Sequence, residues 1–303
     1  QVMPDNNWAL AAAIIGFLGA IICLLPINVA ERDVSFPTFN RFSFPSAVGV
    51  AIATIAIISY SIKNRWQNII YALLIFTAIL THYTNQDYYA NRWIETQKLW
   101  QQWTWRVPAL EKGTVLSGLY DQTIQEGFFI WAPANLLYFS GMPEIMIGAE
   151  VLNDNTINEI IMKRSLERDF RSFKYNFSLG NTLVFSKPTS NTCLRFLDQN
   201  QIELSVYDNP LISLAAPYSH IEKISEPNNQ NQEMYTKLFG EVESDLTWCY
   251  IYEKASLARQ FGDWQKIADL HIQAHEHDLR PYDHIEWFPF LQAYAYLGLE
   301  DEV

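Results

Sequence analysis

"WALAAAIIGFLGAIICLLPINVA", Trp8 to Ala30, runs for 23 residues without a charged side chain. The hydrocarbon core of a bilayer takes about 20 apolar residues in helical form, so this length predicts a membrane span. A secretory signal would place basic residues ahead of a shorter apolar run of about 7–15 residues. No Lys or Arg precedes Arg32, which argues against that reading. "SAVGVAIATIAIISYSI" (46–62) predicts a second span, with Pro45 suited to a helix start. "NIIYALLIFTAILTHY" (68–83) predicts a third, short one, whose His82 and Tyr83 suit an interface. Both are uncharged, so spans explain them better than buried helices of a soluble protein do.

Charge divides the chain in the same place. Residues 1–84 carry four Lys/Arg and three Asp/Glu, and the rest carries 17 and 30. The apolar part is near neutral and the remainder has a formal charge of −13. So acidic a remainder argues against nucleic acid, which needs clustered Lys and Arg. Lys63 and Arg65 crowd the short connection 63–68, while Arg32 and Arg41 are spread over the longer loop 31–45. The denser pair places 63–68 in the cytoplasm, and everything after 84 outside it. A start at Gln1 and an end at "GLEDEV" suggest a piece of a longer protein.

After the third predicted span comes "TNQDYYANRWIETQKLWQQWTWRVP". Tyr89, Trp93, Thr96, Trp100 and Trp103 follow helical spacing along one face. Pro108 ends the helix by pushing Val107 towards extended geometry. An aromatic face starting at a membrane boundary predicts an interfacial helix over 85–107, with Tyr89, Trp93, Trp100 and Trp103 in the headgroup layer. A platform for a lipid-linked sugar along this face is the alternative. Trp105 falls off the face and should pack into the next domain.

From Gly113 the pattern changes. "TVLSGL" (114–119) and "EIMIGAEVL" (144–152) read as buried strands, with "APANLLYF" a helix between them. "NTINEIIMKRSLE" reads as a helix capped by Asn155. "FRSFKYNF" and "TLVFSK" predict a hairpin turning at "SLGN", and "CLRFLD" a further strand. The sum is a small mixed α/β domain over 108–207. Residues 208–245, rich in Asn, Gln and Pro, read as a linker.

Residues 246–303 are helical in pattern. "FGDW" (261–264) and "LGLE" (297–300) place Gly262 and Gly298 36 residues apart. With Ala255, Ala258 and Ala274, this resembles a tetratricopeptide repeat, with Pro281 two places late. The fold class is therefore three membrane helices, a mixed α/β domain and a tetratricopeptide-like end.

"NRW…QKLWQQWTWRVPALEKGT", "CLRFLD" and "WCYIYEKASLARQFGDWQKIADL" together resemble a group of polytopic bacterial membrane proteins, chiefly of Chloroflexi type. The resemblance covers most of 85–303. It implies many spans in a bacterial plasma membrane, then an extracytoplasmic domain, then a helical end. More loosely, this order resembles the GT-C glycosyltransferases, which use lipid-linked sugar donors. That resemblance implies catalytic carboxylates in a first outer loop, upstream of this chain.

Local chemistry is sparse. Glu31 and Asp33 could bind a metal or act as a base, but an ordinary loop explains them as well. His271 and His275 have a zinc-compatible spacing, with Glu276 and His277 close by, yet no third ligand is evident. "HIE" (284–286) lacks the Cys pair that would make it a deaminase signature. Cys23 reads as core of a span. Cys193 and Cys249 read better as free buried thiols than as a disulfide, although an outside location permits one. "NFS" (176–178) fits a glycosylation pattern but falls on an expected strand. No GxSxG, Walker A or GxGxxG occurs, and neither metal nor cofactor is expected.

Two functions remain from sequence. One is the C-terminal part of a GT-C-like glycosyltransferase; the other is a non-catalytic envelope protein whose outer domain and helices bind a protein partner. A coupled transporter would usually place charges within its spans, and these carry none.

Overall fold

The computed structural model describes residues 7–30, 43–62, 64–120, 127–170, 173–225, 231–240 and 246–299. The chain forms two compact units, 1–92 and 93–303. Glu31 and Asp33, together with Arg32, Arg41 and Lys63, lie outside the described residues.

The first unit contains α1 (Asn7–Val29), α2 (Phe44–Ser61) and the start of α3 (Asn64–Arg106). Two helices, Trp8–Val29 and Phe44–Ser61, are long and apolar enough to cross a membrane. The third expected span does not form a helix of its own. Residues 68–83 belong to α3, a single helix of 43 residues that also takes in the expected interfacial segment. By length and composition, 68–83 is not among the candidate spans of the described residues.

Glycine sets how closely α1 and α2 approach. A Cβ on Gly16 would lie 2.6 Å from the Ala53 nitrogen, and one on Gly49 would lie 2.5 Å from the Ala20 nitrogen. The two backbones are in contact, and only hydrogen fits between them. At the far end of α2, Gln67 Nε2 donates to the carbonyls of Ile62 (2.7 Å) and Ser59 (3.3 Å), which satisfies acceptors the helix end leaves open. Ile14, Ile15, Phe17, Leu18, Val48 and Ile55 remain exposed on the pair.

In the second unit, the end of α3 leads to β1 (Ala109–Leu110) and β2 (Val115–Tyr120). Then follow α4 (Phe128–Tyr138), β3 (Gly148–Val151) and α5 (Asp154–Ile161). Next come β4 (Ser165–Phe170), β5 (Phe173–Ser178), β6 (Thr182–Lys187) and β7 (Arg195–Phe196). The chain continues through α6 (Pro210–Ala215), β8 (Ile224–Ser225) and α7 (Asn231–Phe239). It closes with α8 (Trp248–Gln260), α9 (Trp264–Glu276) and α10 (Phe288–Leu297).

The main sheet has the order β3-β2-β6-β7. β2 runs parallel to β3 and β6, and β7 is antiparallel to β6. Its central strands β2 and β6 are buried on both faces, as the inner strands of a covered sheet are. Leu116, Leu183 and Phe185 face one core with Trp100, Trp103, Ile130 and Leu137. Val115 and Val184 face the other, with Ile157, Ile160 and Ile212. Helices α3 and α4 thus cover one face and α5 and α6 the other. Asn135 fixes the α4 side: its Oδ1 accepts from the Met146 and Ile147 nitrogens, and its Nδ2 donates to the Ile147 carbonyl (2.8 Å).

Three local expectations are corrected. The hairpin between 173–177 and 182–187 does not form. β5 pairs with β4, while β6 enters the sheet beside β2. All six β6 residues are buried, so β6 needs cover on both faces, which a two-stranded hairpin lacks. The α5 cap is Asn153, which accepts from the Thr156 nitrogen at 3.0 Å, and α5 ends at Ile161. The segment 208–245 is not a bare linker, since α6, β8 and α7 lie within it. Tyr235 and Phe239 of α7 belong to the first core.

Helices α8, α9 and α10 surround a third core that contains Trp248, Ile251, Ala255, Ile267, Ala274 and Phe290. Gly262 (φ 74°) permits the turn after α8, and Asp263 caps α9 by accepting from the Lys266 nitrogen.

Candidate functional site

The tryptophan face does not have the surroundings expected of it. Tyr89 and Trp93 are each 48 % exposed, while Trp100 is 1 % and Trp103 0 % exposed. The Trp103 ring meets Phe185 and Phe196 edge-on at 5.1 and 4.9 Å, and Trp100 stacks on Phe239 at 5.9 Å. Trp100 and Trp103 are core residues of the sheet domain rather than headgroup anchors. They share one buried cluster with Leu116, Leu183 and Phe185 of the sheet. Trp105 packs edge-on against Tyr250, as its position off the face predicts.

The histidines do not converge. His271 pairs its Nδ1 with the Tyr294 hydroxyl at 2.6 Å, amid the rings of Trp287 and Phe290. His275 is exposed, and His277 Nδ1 faces the Gln273 carbonyl. Among the described residues no group of three or more His, Cys, Asp or Glu could hold a metal ion.

The cysteines do converge. Cys193 and Cys249 form a disulfide with Cα atoms 5.2 Å apart, in place of the two free thiols expected. Cys193 precedes β7 and Cys249 sits in the first turn of α8. Sequence spacing alone gave no means of placing these two side by side.

Beside this bridge lies the most concentrated chemistry of the domain. Arg195 of β7 donates both Nη2 bonds to Asp208, each at 2.8 Å, and both side chains are buried. Arg259 of α8 makes a two-pronged pair with Glu203 (2.6 and 3.1 Å). Such forked pairs hold planar groups in fixed geometry. Arg106, last residue of α3, donates from Nη1 to Gln260 at 2.9 Å. Gln260 in turn donates to the Ile221 and Ile224 carbonyls, tying α8 to the β1–β8 edge. Glu286 accepts the Cys193 N–H and the Trp248 indole N–H, both at 2.8 Å. Glu253 is fully buried near Arg106.

Burial governs the electrostatics here. It lowers Arg106 from 12.5 to about 10, against the favourable charge of Glu253. It raises Glu253 well above the usual carboxylate range, with Arg106 opposing. It also raises Glu286 to about 7, although the Cys193 and Trp248 N–H groups favour the ionised form. Shifted carboxylates in a cleft often mark active sites. The cavity lined by Arg106, Arg195, Glu253, Ser256 and Arg259 has a volume of about 10 Å³, the space of about one water. The cluster instead joins three elements distant in sequence, α3, β7 and α8. Its members are scattered and form no local motif. The one legible signal was Glu253 within the apolar stripe of Trp248, Ile251, Tyr252 and Ala255.

An exposed feature lies among α9, α10 and the turns that follow α8 and α10. The rings of Trp264 and Tyr296 stack at 4.1 Å with 8° between planes, and Tyr296 is 69 % exposed. Phe261 and Leu299, in the turns that follow α8 and α10, are exposed as well. No protein-family model matches this chain, and no curated protein or solved structure does either.

Proposed function

We propose that the chain belongs to a membrane-anchored envelope protein whose outer domain, residues 93–303, docks a protein partner through its helical end. The carrying observation is the Cys193–Cys249 disulfide, because such bridges persist in oxidising compartments outside the cytoplasm. The exposed apolar faces of α1 and α2 support the anchor, since side chains of this kind need lipid around them. Gly262 and Gly298 follow α8 and α10 at positive φ, in keeping with a tetratricopeptide-like repeat. Stacked helix pairs of that type present binding surfaces, and the Trp264–Tyr296 stack supplies an aromatic anchor of the kind that dominates interfaces.

Orientation is tested by labelling a Val206→Cys variant in intact cells with a membrane-impermeant maleimide; Val206 is 90 % exposed. Labelling from outside is the expected result, and labelling only after permeabilisation overturns it. Docking is tested with a photo-crosslinking residue at position 296. A discrete adduct that Trp264→Ala removes is expected, whereas crosslinks to lipid or water alone count against a partner.

The GT-C-like glycosyltransferase is the second reading. Its support is the order of elements, apolar helices followed by a mixed-sheet domain. Transfer from a lipid-linked sugar by the purified protein would favour it over docking.

A further inference from the structure

We propose that the cavity between β7 and α8 holds one ordered water molecule, which accepts the Nε–H of Arg195 and links it to the Ser256 hydroxyl and the Glu253 carboxyl. Arg195, Glu253 and Ser256 all line this cavity. Arg195 Nε, Ser256 Oγ and both Glu253 oxygens are buried without a protein partner among the described residues. Buried polar atoms in folded proteins are nearly always satisfied, by protein or by water, so three unmatched groups around one cavity call for a common partner. The cavity volume of about 10 Å³ matches about one water.

Chemistry narrows the occupant further. Arg195 Nε–H only donates, while the Ser256 hydroxyl and the Glu253 carboxyl, kept protonated by burial, each donate and accept. A water, with two donors and two acceptors, serves all three. A halide only accepts, so it would leave the carbonyl oxygen of the Glu253 carboxyl unmatched. A cation would face Arg106, Arg195 and Arg259, which line the same cavity. Arg195 and Arg259 are already matched by Asp208 and Glu203, so the site has no large excess of either charge to offer an ion. The water then completes the joint between the sheet and the helical end. It does not depend on membrane placement or on the docking proposal.

The sign of a stability change tests this in the purified full chain. If Ser256 binds the water, Ser256→Ala lowers the melting temperature by about 2–4 °C. If its hydroxyl is unmatched in a dry cavity, the variant removes a burial cost and the melting temperature rises, which overturns the proposal. A crystal structure gives an independent reading. A density peak within hydrogen-bond reach of Arg195 Nε and Ser256 Oγ, unchanged by a bromide soak, is expected. Anomalous bromide signal at that point, or no peak at all, overturns it.

Discussion

Cys193 and Cys249 are bonded across 56 positions of sequence, joining the approach to β7 with the first turn of α8. A bridge over so long a loop removes many conformations from the unfolded chain. Replacing both cysteines with serine is expected to cost about 2–5 kcal/mol, the usual loss for a native disulfide. Thermal melts with and without reductant check this. Reductant should lower the melting point of the natural chain and leave that of the double variant unmoved. Equal melting of the two proteins without reductant would mean that the bridge carries no stability.

Trp103 is the deepest indole of the domain, at 0 % exposure between Phe185 and Phe196. Trp103→Ala is expected to destabilise by about 3–5 kcal/mol, the cost of emptying a large core position. Trp93, half exposed and 6.0 Å from Phe239 between ring centroids, should cost about 1 kcal/mol or less when changed to alanine. Denaturant titration of both variants separates them. A small effect at Trp103 would restore the role of headgroup anchor and sink the core assignment.

The same helix shows what a single sequence reveals. Its spacing placed Trp93, Trp100 and Trp103 on one face correctly, because helical period is a local property. What that face meets is not local. Trp100 and Trp103 are covered by Phe239, Phe185 and Phe196, brought there by sheet pairing that no window of sequence contains. The strands at 115–120 and 148–151 were legible as apolar runs, and so was α4 between them. The partner of β6 was not, because "SLGN" suits a turn whether or not its flanking strands pair. The charged joint was illegible for the same reason: Arg106, Arg195, Glu253 and Glu286 become neighbours only through the fold.

Gly16 and Gly49 make a sharp prediction about α1 and α2. A Cβ at either position falls within 2.7 Å of backbone atoms of the other helix. Backbone cannot step aside as a flexible side chain can, so the helices must separate. Gly49→Leu should therefore lower the melting temperature of the first unit in detergent, and Gly49→Ala should do so less severely. Gly19 is the control, since a Cβ there meets nothing within 4 Å. A Gly19→Leu variant that melts no higher than Gly49→Leu would defeat this account of the contact.

Glu286 should make stability depend on pH. Burial lifts its pKa from 4.5 in the ordinary state to about 7 in the folded chain, with Asp283 adding to the rise and Arg195 opposing it. Between those values the folded chain holds more protons than the unfolded one, so this group's contribution to stability falls as pH rises through the window. Below it both states are protonated and no cost applies; above it both are ionised and the full cost of the buried charge applies. Glu286→Gln is neutral throughout and should lose that slope. Its amide NH₂ cannot accept, so either the Cys193 N–H or the Trp248 N–H loses its partner, and the variant is less stable at pH 5. The charge of Glu286 also raises the buried Glu253 carboxyl, so the difference between the two melting curves reports Glu286 together with its effect on Glu253. From pH 5 to 8 that difference should shrink, because only the natural chain acquires a buried charge; a gap that stays constant would show that Glu286 does not titrate in this range.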